Sequence, residues 1–75
     1  MRVEQAIELV HSGTRSLIDI CDNGDIGVHD AHRVIAGLDR TGDYSRKYLN
    51  DLYQEVSDLF YKKLLDKASG VLTDS

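Results

Sequence analysis

The sequence predicts an all-α fold, a three-helix arrangement with a long C-terminal helix and no strands. Three observations predict it. No segment alternates apolar and polar residues with period two among β-branched side chains, as a half-buried strand requires. The 75-residue chain contains no proline, so nothing in it must interrupt a helix. Its apolar residues recur at intervals of three and four, in three blocks, as they do on helices with one buried face.

The first helix is expected over residues about 2–22. Val3, Ile7, Val10, Thr14, Leu17 and Cys21 step by four and three in a heptad seam,. Ala6 and Ile18 widen the seam, and Leu9 and Ile20 lie at its edge. Gly13 costs about 1 kcal/mol relative to alanine inside a helix. The phase of the stripe survives it, so the helix is read as continuous, with room for a kink or a close helix approach at Gly13. Asp22-Asn23-Gly24-Asp25 ends it with residues suited to a left-handed cap,.

The second helix is expected over about 28–38, with Val28, Ala31, Val34, Ile35 and Leu38 on one face,. The third is expected over about 44–69, capped by Asp43 or Ser45, with a frayed tail over 70–75. Its apolar stripe changes face. Tyr48, Leu49, Leu52, Tyr53, Val56, Leu59 and Phe60 share an arc of roughly 140°. Tyr61, Leu64, Leu65 and Ala68 centre about 120° further round. The expected core is Val3, Ile7, Val10, Leu17, Ile18, Cys21, Ile26, Val34, Ile35, Leu38, Leu52, Val56 and Leu59, with the first and third helices sandwiching the second.

A chain of this length makes one domain and buries only about 60% of its unfolded surface. Apolar residues make up 41% and charged residues 29%, a globular composition, and the net charge is −4. Net acidity argues against a nucleic-acid backbone as partner. Cys21 is the sole cysteine, which excludes an internal disulfide and suits a reducing, cytoplasmic compartment. Glu4 stands too early for a signal peptide, and no apolar run approaches a membrane span.

Four local patterns carry chemistry. The segment Asp19 to Asp30 resembles a calcium loop of the EF-hand or dockerin kind, with Asp19, Asn23 and Asp30 at positions 1, 5 and 12 and Gly24 at position 6,. That resemblance implies a metal site on Asp19, Asn23, Asp25 and Asp30. Cys21 at position 3 is a soft ligand that calcium does not favour, and Asp30 is shorter than the usual glutamate. Cys21, His29 and His32, with Asp22 or Asp25, form a second candidate, for zinc. Arg40, Arg46 and Lys47 flank the turn before the third helix, where a helix-turn-helix protein would read DNA. Asp39, Asp43 and Asp51 stand beside them, and the metal patterns equally fit ordinary capping. His11 has no evident partner. Nothing resembles an oxyanion hole, a phosphate loop or a catalytic carboxylate pair, and three short helices leave little room for a small-molecule pocket.

The fourth pattern is the apolar surplus past Phe60. Aromatic residues concentrate at interface cores, and all four tyrosines of the chain lie between residues 44 and 61. The expected function is a small non-enzymatic regulatory or adaptor protein without a cofactor. It would dock Tyr53, Phe60, Tyr61, Leu64 and Leu65 onto another protein or, as a homodimer, onto itself. Acidic all-helical chains of this size are frequent among phage and bacterial accessory proteins that bind or inhibit a host protein.

Overall fold

A computed structural model describes residues 1–68 in full and residues 69–74 as backbone of the last helix. The chain forms α1 (Val3–His11), α2 (Leu17–Asp22), α3 (Val28–Thr41) and α4 (Arg46–Asp74), with no strand among the described residues. The all-α class and the long last helix are as the sequence predicts. The count differs, because the expected first helix is two helices. The expected fraying over 70–75 lies outside the fully described residues.

The break is a Schellman motif. Gly13 takes φ 80°, in the left-handed region. Its N–H donates to the Val10 carbonyl at 3.1 Å, and the Thr14 N–H donates to the Leu9 carbonyl at 3.0 Å. A Cβ on Gly13 would meet nothing within 4 Å, so glycine serves the backbone conformation there rather than a close helix approach. Ser16 then caps α2, its Oγ accepting from the Asp19 N–H at 3.1 Å. The turn after α2 repeats the motif, with Gly24 donating to Cys21 and Asp25 donating to Ile20. The start of α4 is capped by Ser45, whose Oγ accepts from the Tyr48 N–H at 3.1 Å. Tyr44 therefore precedes the helix, and α3 runs past its expected end to Thr41, with Gly42 left-handed beyond it.

The corner re-phases the core. Leu17, Ile20 and Cys21 point inward together, so Ile20 is wholly buried rather than at an edge. Thr14 is exposed and leaves the seam. Ala6, Ala31 and Leu49 join Ile26, Val34, Ile35, Leu38, Leu52 and Val56 in the buried cluster. Val3, Ile7, Val10, Ile18 and Leu59, expected in the core, are half-buried around it, and Val28 is exposed. Helix α3 is the central element. α1 and α4 both pack against it and not against each other, while α2 packs mainly on α4. The sandwich is as expected, with α2 added to it. The radius of gyration is 13.8 Å and the long dimension 49 Å, against about 11 Å for a compact chain of this size. A helix of 29 residues accounts for the elongation, since it is about 43 Å long.

Candidate protein-docking surface

Helix α4 presents two stripes. Leu49, Leu52 and Val56 are buried, and Leu59 and Phe60 pack half-buried against the same core. Lys63 follows on that face, seven residues after Val56. Its Nζ donates to the carbonyls of Cys21 at 3.0 Å and Asp22 at 2.8 Å. Those carbonyls end α2, where the Cys21 oxygen also accepts from the Gly24 N–H at 3.0 Å, and a cation there meets the negative end of the helix dipole. Lys63 marks where the cover on α4 stops. Every described residue from Leu64 to Ala68 is exposed.

The second stripe faces outward. Tyr61 and Leu64 are each 63% exposed, Tyr53 49% and Leu65 48%. Phe60, grouped with them on sequence grounds, turns instead toward the core. Tyr48, expected in the packing arc, is 46% exposed and stacks on Tyr44 with ring centroids 5.2 Å apart.

Tyr53 also borders a cleft of about 250 Å³ between α3 and α4, lined by His32, Ile35, Asp39, Arg46, Leu49 and Asn50 among others. The Tyr53 and His32 rings are stacked at 4.5 Å and 16°. The Nε2 atom of that His32 ring is buried without a hydrogen-bond partner among the described residues. Neither Asp39 nor Arg46 takes part in an ion pair among the described residues. Sequence reading found the stripe but neither the cleft nor the Lys63 clasp. A lysine on the apolar face of α4 was the available signal for the clasp.

The candidate metal residues are held by internal cations. Arg15 Nε donates to Asp19 Oδ2 at 2.9 Å, and its Nη1 donates to Asp25 Oδ2 at 3.0 Å. The guanidinium thus bridges two of the carboxylates that the calcium-loop resemblance assigns to an ion, and both raise its pKa further. Asn23 Nδ2 donates to Asp19 Oδ1 at 3.3 Å, and the Met1 ammonium donates to the Asp25 carbonyl at 3.1 Å. Asp30 sits in the first turn of α3. Among the described residues no group of three His, Cys, Asp or Glu side chains is placed to hold an ion. Of the zinc set, Cys21 is wholly buried, His29 exposed and His32 half-buried under Tyr53. Burial pushes the Cys21 thiol up, partly offset by nearby Lys63.

The nucleic-acid candidates Arg40, Arg46 and Lys47 are all exposed around the α3–α4 turn. His11 does have a partner, Asp43 Oδ2 at 2.7 Å from its Nε2, and its ring meets Tyr44 edge-on. No helix among the described residues is long and apolar enough to cross a membrane. No family model, curated protein or solved structure matches the chain.

Proposed function

We propose that this chain is a small non-enzymatic regulatory or adaptor protein of the cytoplasm. It acts by docking the outward stripe of α4 onto a protein partner. The observation that carries the reading is the exposure of Tyr61 and Leu64, 63% each, on a helix whose other face is already satisfied. A lone exposed leucine is ordinary on a protein surface. Four large apolar side chains on one face, next to a cleft, mark an interaction site.

A non-enzymatic role is supported by the state of Cys21, the one side chain of the thiol type that nucleophilic catalysis uses. Cys21 is buried with its thiol pKa raised, and no described histidine hydrogen-bonds to it. The role of a phage or bacterial accessory protein, binding or inhibiting a host protein, is the setting we favour for a domain of this size and charge.

Tagged wild type and Leu64→Glu/Leu65→Glu, compared by affinity capture and by sedimentation, test the proposal. Both residues lie outside the core, so the variant should keep its circular dichroism and melting midpoint. It should lose partner capture and self-association. Equal behaviour of the two proteins in both assays would sink the docking role.

A further inference from the structure

We propose that the chain carries a second docking groove, on the flank of α4 away from the outward stripe, and that its occupant is a basic amphipathic helix of a partner protein. None of its residues belongs to that stripe, so the two surfaces stand or fall separately.

The break at Gly13 makes the groove. It turns α2 out of the line of α1, and α1 does not pack on α4. Between the α1–α2 corner and the first half of α4 lies a space of about 460 Å³, partly open to solvent. Leu17 and Leu52, both buried, form its floor. Val10 and Ile18, both half-buried, and the ring of Tyr48, 46% exposed, line its sides.

Helix α4 lends the groove two parallel rows. Tyr48 and Leu52 stand four residues apart in an apolar row, and Asp51 and Glu55 stand four apart in an acidic row beside it. The rows are offset by about 60° round the helix. Neither acid takes part in an ion pair or a side-chain hydrogen bond among the described residues. Arg15 is the cation that lines the groove, and its guanidinium is already held between Asp19 and Asp25. Lys47, one turn before Asp51, bounds the acidic row without pairing to it. The groove thus joins uncovered apolar surface to uncompensated negative charge.

The paired rows select the occupant. A helix laid along α4 offers an apolar row and a basic row side by side, with the same four-residue step of about 6 Å. An extended segment turns alternate side chains to opposite sides and offers a surface only one row. A nucleic-acid backbone meets repulsion from Asp51 and Glu55. Apolar side chains of the partner helix cover Leu17 and Leu52, and its lysines or arginines reach the two carboxylates and the face of Tyr48. The groove residues of α4 and the stripe of Tyr53, Tyr61 and Leu64 fall on nearly opposite flanks of the helix, at about 100° per residue. One chain then has room for two proteins at once, as an adaptor requires.

The probe that tests this is a fluorescein-labelled helical peptide with leucines in one row and arginines in the next, titrated against the whole chain by anisotropy. Wild type should bind it saturably. Asp51→Asn/Glu55→Gln should weaken binding about ten-fold or more. Glu4→Gln/Glu8→Gln makes the same change of net charge on the outer face of α1 and should stay within about two-fold of wild type. All four positions are exposed, and circular dichroism verifies folding. A peptide with serine in place of leucine, and spermidine, should each compete about ten-fold more weakly than the probe.

Absence of saturable binding by wild type, or equal loss in the two amide variants, would overturn the proposal. Equal competition by the serine peptide or spermidine would do the same, since it would reduce the groove to an acidic patch. Leu64→Glu/Leu65→Glu should bind the probe at least as well as wild type, and a loss there would place the peptide on the outward stripe and overturn the groove. If the probe binds as expected while that variant still captures protein like wild type, the outward stripe loses its docking role and the groove stands.

Discussion

Lys63 sits where an amphipathic helix calls for an apolar residue. Its stem extends the apolar face of α4, and its ammonium reaches the last carbonyls of α2. Long basic side chains can serve both environments at once. Lys63→Met keeps the stem and removes the donor, so it should cost about 1 kcal/mol, the usual net worth of such hydrogen bonds at a partly wet site. Urea denaturation measures this, and an unchanged midpoint would mean that water serves the carbonyls equally well. Arg15 is a parallel case. Its position in the sequence suggested only a polar face, yet its guanidinium occupies the space between Asp19 and Asp25. Arg15 and Asp19 stand four residues apart, a spacing the sequence shows, but the Lys63 contacts and the Arg15–Asp25 pair were not legible, because turns whose geometry periodicity does not encode bring those residues together.

The α1–α2 corner shows how two local signals competed. Asn23-Gly24 and Ser12-Gly13 both end helices with a left-handed glycine. The first was legible because the apolar stripe stops there. The second was hidden because Val10, Thr14 and Leu17 keep the spacing of a seam across the break. Ser16, three residues before Asp19, was the overlooked sign of a new helix start. α3, the cap at Ser45 and the buried stripe of α4 were legible because their stripes and caps agree. The break has a test in the sign of a stability change. In a continuous helix Gly13→Ala would gain about 1 kcal/mol. At φ 80° it should instead lose about 1 kcal/mol, and Gly13→Asn should lose less, since asparagine tolerates that conformation better. A stabilised alanine variant would restore the continuous helix. Ile20 was misplaced for the same reason, whereas Phe60 was grouped with the docking residues although its place in the first arc of the helix already put it on the core face.

The molecule as a whole has a small core, and its stability should respond to alkali. Burial raises the pKa of the Cys21 thiol and of the Tyr44 hydroxyl. Each group therefore stays protonated in the folded chain at a pH where the unfolded chain begins to ionise. The folded state then holds more protons, so stability falls as pH rises. The fall should begin near pH 9, the ordinary value for the thiol, and continue through the tyrosine range. Growing negative charge on an already acidic chain acts in the same direction. Urea midpoints between pH 7 and 10.5 should trace that decline, and a flat or rising profile would contradict it.

The end of cover at Lys63 also bears on how such a chain can change over generations. Every buried residue among those described lies before it, and Leu64 to Ala68 are exposed. Substitutions there escape the selection that folding imposes on Leu52 or Val56. The segment proposed to choose a partner is thus free to diverge while the scaffold stays constant. Descendants of one fold could acquire different targets by altering a single helical turn.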